Sequence, residues 1–297
     1  MSLAHATTLL FVPGDRPDRF ERALRSGADV VICDLEDAVA VDAKETARDH
    51  VRDAAAAGAR VAVRVNAVGT AWHEADVAMA VEHRLSLVLP KANRAAVAAL
   101  AELDLGGTEV LALVETARGL LDAADVAAAP SVRRLALGHL DLATDLGVAP
   151  DVLTVMDHAR TTLVVASSAA GVVGPVDGVT PQLRDAERLA DDLTRAERLG
   201  MRGKLCIHPD QVAAAADRFA PSPQELAWAS SVVTAERAGV AVVDGQMVDA
   251  PVLARARQVL ARRRPHTSPS SAAPSSAAPS SAAPSSAAPS TTEGEPA

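Results

Sequence analysis

Aromatic side chains are scarce in this chain: three Phe, two Trp and no Tyr among 297 residues. With 49% of the chain hydrophobic and so few rings available, Ala, Val and Leu must build the core. The shortage also removes the stacking platforms that single-stranded nucleic acids need. Basic residues are interspersed with acidic ones under a net charge of −9, so no nucleic-acid partner is expected. The one basic run, Arg262-Arg263-Arg264, follows a helical pattern and reads as cations at a helix C-terminus. Only two cysteines occur, Cys33 and Cys206, each inside an apolar run, where a small buried hydrophobe is expected rather than a disulfide or nucleophile. No run approaches the ~20 apolar residues of a membrane span. The segment MSLAHATTLLFVPGDRP lacks the basic start and apolar stretch of an export signal, so a soluble cytoplasmic protein is expected. Nucleophile elbows, P-loops, dinucleotide-binding glycine motifs and zinc-spaced Cys/His clusters are also missing.

What is present is an alternation. Short apolar runs at 7–12, 29–35, 60–66, 85–90, 109–115, 134–138, 176–179 and 204–207 are separated by amphipathic stretches such as AKETARDHVRDAAAAG and RDAERLADDLTRAERLG. Apolar runs of this kind suit parallel strands buried on both faces, and both quoted stretches end in Gly, a helix stop. Eight such units predict a (β/α)₈ TIM barrel over residues 1–220, the seventh run being the least strand-like. A C-terminal helical extension follows over 221–264, with Ser222 as a candidate N-cap. From Ser268 the chain becomes a Ser/Ala/Pro repeat without large apolar residues, which predicts a disordered tail over 265–297.

Barrel chemistry collects where strands end and βα loops begin. Polar groups recur at those places: Asp15 and Arg16; Asp34, Glu36 and Asp37; Arg64 and Asn66; Lys91; Glu115; Asp141; and His208. Glu115 and Asp141 follow neighbouring strands and suit a hard divalent ion completed by water or substrate oxygens. Glu115 equally suits a cap or first-turn acid on the helix that begins TARGLLDAAD. Arg64 lies inside an apolar strand and needs an anion, either an internal acid such as Asp37 or a substrate carboxylate. His208, before a proline and a helix start, reads as an ordinary loop histidine.

The pieces LFVPGDRPDRFERAL, DVVICDLEDAVAVDAKETAR, VAVRVNAVGT, LVLPKA, LALVETARGLLDA, LGHLDLATDLG, GKLCIHPDQV and DGQMVDAPVL, in this order, resemble the citrate lyase β-subunit-like proteins of the malyl-CoA lyase/aldolase (HpcH/HpaI-type) superfamily. The resemblance implies a homotrimeric, Mg²⁺-dependent carbon–carbon lyase that cleaves or forms a carboxylated β-hydroxyacyl-CoA thioester, with a 2-oxo acid and an acyl-CoA as the other side of the reaction. It implies that Glu115 and Asp141 carry Mg²⁺, that Asp37 supports the metal's water shell, and that Arg64 holds the substrate. Arg16, Arg19, Ile207 and His208 would lie near the coenzyme A arm. Asp249 would reach a neighbouring subunit's site as the catalytic proton donor or acceptor. The family's usual Gly-x-Glu-Asp-Leu run is replaced here by Gly138-His139-Leu140-Asp141-Leu142, which bears on substrate preference. Two other roles stay open: the citryl-carrier lyase β subunit of a citrate lyase complex, and a non-catalytic metal-binding paralogue.

Overall fold

The computed structural model describes residues 2–237, 242–243 and 246–262. The apolar runs become seven parallel strands: β1 (Thr8–Pro13), β2 (Val30–Asp34), β3 (Val61–Arg64), β4 (Ser86–Leu89), β5 (Val110–Val114), β6 (Val132–Leu137) and β7 (Lys204–Cys206). They make one sheet in the order β6-β5-β4-β3-β2-β1-β7. Strands β1 to β6 are therefore laid down side by side, and β7 returns to pair with β1 at Thr8↔Lys204. The curled parallel sheet with intervening helices is consistent with a TIM-like barrel.

Alternate side chains along the strands go to opposite faces. Leu10, Val12, Val31, Cys33, Val63 and Leu87 join helix residues such as Val51, Val77 and Leu163 in one cluster. Leu9, Ile32, Ala62, Val88, Leu111 and Ala136 form a second cluster with no helix residue in it, on the inner face. Both cysteines are free and buried as expected, and burial pushes each thiol up to about 12. At the end of the sheet where the strands begin, the buried Arg134 guanidinium donates to the carbonyls of Leu3, Ala6, Gly174 and Arg202. A cation buried there is satisfied by backbone oxygens rather than by an acid.

The seventh run corrects the expectation of an eighth strand in the ladder. Only isolated parallel bridges form, Ala136↔Val176 and Asp177↔Lys204, so two residues span the interval between β6 and β7. The backbone there still bonds to both sides: Val176 N to Leu135 O at 2.9 Å, and Asp177 N to Gly203 O at 2.8 Å. Pairing then stops at Gly178, where a Cβ would lie 2.3 Å from His139 Nδ1. Side chains complete the tie. Fully buried Asp177 meets Lys204 Nζ at 3.0 Å and Arg160 Nε, on helix Leu153–Ala169, at 2.7 Å.

The C-terminal extension is helical as expected. Helix Pro223–Arg237 starts with a reciprocal capping box: Glu225 N donates to Ser222 Oγ at 3.1 Å and Ser222 N to Glu225 Oε2 at 2.8 Å. A short antiparallel pair, Val242–Val243 with Gln246–Met247, leads to helix Ala250–Ala261. The two helices share a small core of Ala229, Val232, Ala256 and Val259. Arg262 follows directly at the C-cap, as the basic run predicts, and the tail expected from 265 lies outside the described residues. Among the described residues no helix is long and apolar enough to cross a membrane.

Candidate active site

Glu115 leaves β5 directly into the strand-end region and is only 2% exposed. The helix-cap alternative falls, because Thr116 takes that role by accepting from Gly119 N at 3.0 Å. Glu115 Oε1 instead accepts the Lys91 amide at 2.8 Å. Its carboxylate presses on Gly138, where a Cβ would lie 2.5 Å from Glu115 Oε2, so only glycine admits it. Burial, then the nearby charges of Glu36 and Asp141, push the Glu115 carboxyl up to about 8, and the Lys91 amide and Arg64 offset this only in part.

Asp141 sits in the first turn of helix His139–Leu146 and makes no hydrogen bond or ion pair among the described residues. Glu115 and Asp141 line one cavity of about 470 Å³, together with Arg19, Asp37, Arg64, His139 and Ile207. Six residues expected around a metal, substrate or coenzyme A are thus brought together by five different strand ends and the first helix region. A roomier hollow of about 690 Å³ lies between helices Ala186–Arg198 and Asp210–Phe219, but none of those strand-end acids reaches it.

Arg64 finds its anion one strand away. Asp34 is its direct β2–β3 partner in register, and it receives a bidentate pair at 2.8 and 2.6 Å. Glu36 Oε2 stands 3.1 Å from the guanidinium, whereas the anticipated partner Asp37 is 3.9 Å away and mostly exposed. Asp37 is therefore not the main counter-ion, because cross-strand register favours Asp34. Burial disfavours the Arg64 cation, but hydrogen bonding and charge from Asp34, then Glu36 and Glu115, outweigh it and hold the group above its ordinary value. The guanidinium also stacks over Phe11 at 5.1 Å.

Two residues visible at strand ends, but given no role from sequence, organise this charge. Lys91 Nζ donates to Glu36 Oε1 at 2.5 Å. The Glu36 loop is held by Lys44 Nζ, which donates to Leu35 O and Glu36 O at 2.8 and 2.6 Å. Burial outweighs the Arg64 and Lys91 cations and raises the Glu36 carboxyl. His139, the family departure, is buried with an unpartnered Nδ1 against Gly178. Burial lowers its imidazole to about 4, so the ring is neutral near pH 7.

Three expected residues stay outside the cavity lining. Arg16 pairs with Asp18 at 2.9 Å. His208 Nδ1 lies 3.4 Å from Asp210. Asp249 is exposed and caps helix Ala250–Ala261, accepting from Val252 N at 3.0 Å.

A divalent ion fits the donor set. Asp141 and the second oxygen of Glu115 are hard oxygen donors without protein partners among the described residues, and the acids Asp34, Glu36, Asp37, Glu115 and Asp141 outnumber Arg19, Arg64 and Lys91. Among the described residues no group of three or more His, Cys, Asp or Glu gathers as a complete cage. Two carboxylates completed by water or substrate oxygens is the magnesium pattern.

A partly enclosed cavity at the C-terminal ends of parallel strands, combining apolar walls with perturbed acids and an arginine, defines an α/β enzyme. The chain belongs to the HpcH/HpaI aldolase/citrate lyase family, which matches residues 7–209. It is 39% identical over 268 residues to a citrate lyase subunit beta-like protein of Mycobacterium tuberculosis, covering 87% of this chain and 96% of that one. A (3S)-malyl-CoA thioesterase of Cereibacter sphaeroides is 38% identical over 268 residues, covering 86% and 93%. Among solved structures, CitE of Mycobacterium tuberculosis in complex with magnesium, acetoacetate and coenzyme A superposes with a TM-score of 0.71 at 37% identity, covering 87% and 98%.

Proposed function

We propose that this protein is a magnesium-dependent carbon–carbon lyase acting on a carboxylated β-hydroxyacyl-CoA thioester of the malyl, citramalyl or hydroxymethylglutaryl type. The products are an acyl-CoA and an oxo acid, a 2-oxo acid from the malyl and citramalyl types and a 3-oxo acid from the hydroxymethylglutaryl type. The observation that carries this reading is the buried Glu115 carboxyl beside Asp141 in one strand-end cavity with Arg64. The ligands of the similar CitE protein, magnesium, acetoacetate and coenzyme A, support the same cofactor and substrate class.

In this reading the sheet is a (β/α)₈ barrel in which the Val176 and Asp177 bridges stand in for the eighth strand. Glu115 and Asp141 hold the magnesium, with Asp37 supporting its water shell; the ion supplies Lewis-acid stabilisation of oxygen charge and a template for the substrate. Arg64, clamped by Asp34, offsets charge that develops on a substrate oxygen. Loss of the β-hydroxyl proton to solvent water turns that C–O bond into the oxo group of the acid. The electron pair of the broken carbon–carbon bond passes to the thioester as an enolate. Asp249 of a neighbouring subunit in a cytoplasmic homotrimer then delivers a proton to the enolate carbon. Arg16, Arg19, Ile207 and His208 lie toward the coenzyme A arm.

The similarity to a (3S)-malyl-CoA thioesterase favours a second reading, hydrolysis of the thioester with the hydroxy acid left intact. Purified protein with magnesium and a panel of β-hydroxyacyl-CoA esters separates the two, if oxo acid and free thiol are both followed. The lead reading expects oxo acid without free thiol. Free thiol with intact hydroxy acid establishes the second. Turnover only of carrier-bound citryl thioester assigns the chain to a citrate lyase complex, and no turnover despite bound magnesium leaves a metal-binding protein without catalysis. Asp249→Asn is expected to keep magnesium and 2-oxo acid binding while abolishing proton exchange into acetyl-CoA; unchanged exchange removes Asp249 from the mechanism.

A further inference from the structure

Lys91 follows β4 and Pro90 with φ at 48°, a left-handed conformation that side chains other than Gly, Asn and Asp rarely adopt. Such backbone persists only where its surroundings over-determine it. They do so here. Ala92 N donates to Leu113 O at 3.0 Å, and Asn93 Nδ2 donates to Lys91 O at 3.1 Å. Asn93 is itself fixed as the N-cap of helix Arg94–Ala101, accepting from Ala96 N at 3.0 Å. The consequence of this turn is that the Lys91 amide faces Glu115 Oε1 at 2.8 Å. Meanwhile the side chain crosses to Glu36 Oε1 at 2.5 Å.

One residue thus performs two separable tasks at the mouth of the sheet. Its backbone holds one oxygen of Glu115 and leaves the other for a ligand. Its ammonium covers the acid that follows β2. We infer that Lys91 is a positioning residue whose left-handed backbone orients the Glu115 carboxylate for a divalent cation, independently of its ammonium. This rests on the proposal that Glu115 is a magnesium ligand. A group hydrogen-bonded to a metal ligand commonly sets its orientation, and losing it costs about 10- to 100-fold in metal affinity. A lysine where glycine would be less strained fits a position that needs both the turn and the charge.

Magnesium titration by calorimetry, with Glu115→Gln as the non-binding reference, separates the tasks. Lys91→Gly and Lys91→Asn keep a residue that tolerates the left-handed turn and remove the ammonium; they are expected to bind magnesium within about threefold of the unaltered protein, or more tightly because a cation has left the site. Lys91→Val carries a β-branched side chain that disfavours the turn, and is expected to weaken binding by about tenfold or more. Equal losses in the Gly, Asn and Val variants overturn the inference by making the ammonium responsible. Unweakened binding by Lys91→Val also overturns it. If Lys91→Val does not fold, the Gly and Asn variants decide alone: retained affinity supports the backbone role and a tenfold loss overturns it. Magnesium binding by the unaltered protein that Glu115→Gln does not impair overturns the underlying ligand assignment, and the inference with it, as does no binding at all.

Discussion

Burying Glu115 beside Glu36 and Asp141 makes its ionised form unfavourable unless a cation joins it. The unfolded chain ionises this group near 4.5, whereas the folded protein holds its proton up to about 8. Between those values the metal-free folded state binds a proton that the unfolded state has released, so stability falls as pH rises across that window. The total change is on the order of a few kcal/mol. Glu115→Gln removes the titrating group and is expected to flatten this slope in denaturant unfolding run with a chelator, while abolishing magnesium binding. An unchanged slope in the variant would mean that Glu115 is not the group responsible. Asp141 and Glu115 were legible as a pair from their places after adjacent strands, yet a metal ligand and a helix cap looked alike there. Thr116 decides between them only once its Oγ1 is seen on Gly119 N.

Most strand runs were legible because apolar side chains buried on both faces leave an unbroken pattern; the run at 109–115 becomes β5 (Val110–Val114), for example. The segment around Asp177 was not, because polar side chains rather than a long ladder hold it between β6 and β7. Its aspartate is paired with Lys204 and Arg160, which outweigh the cost of burial and draw the carboxyl down to about 2, against 3.8 when unfolded. That stabilisation is fully present above about pH 4 and is lost as pH falls toward 2. Asp177→Asn leaves two buried cations facing a neutral amide and is expected to cost about 3–5 kcal/mol, read from chemical denaturation at neutral pH. A loss below about 1 kcal/mol would show that the bridges close the sheet without the ion pairs. Helix starts were legible where capping is local, as at Ser222 and Glu225.

Across the whole molecule, the proton donor proposed for the reaction sits on the C-terminal extension and does not line the cavity of its own chain. Asp249 caps a helix whose packing partners lie mainly in the extension's own small core. The proposed site shared between chains would let Asp249 be exposed here and still act. Asp249→Asn and Glu115→Gln, each inactive alone, are then expected to recover activity when unfolded and refolded together. Random assembly leaves about one site in four with both native residues. Mixed oligomers that stay inactive, although size measurements show that they have exchanged chains, would place the proton donor within one chain.

Patterning along the chain by itself determined the parallel α/β architecture, the helical extension and the set of strand-end residues, because burial and period are local properties that each segment carries with it. It also determined the family, through motifs kept in order. Only the tertiary structure decided that Arg64 is clamped by Asp34 rather than Asp37, that Lys91 turns left-handed onto Glu115, and that Asp177 ties the ends of the sheet through buried ion pairs. Those choices depend on cross-strand register and on which charges share a desolvated space. Both are set by residues far apart in sequence, so no segment contains them alone.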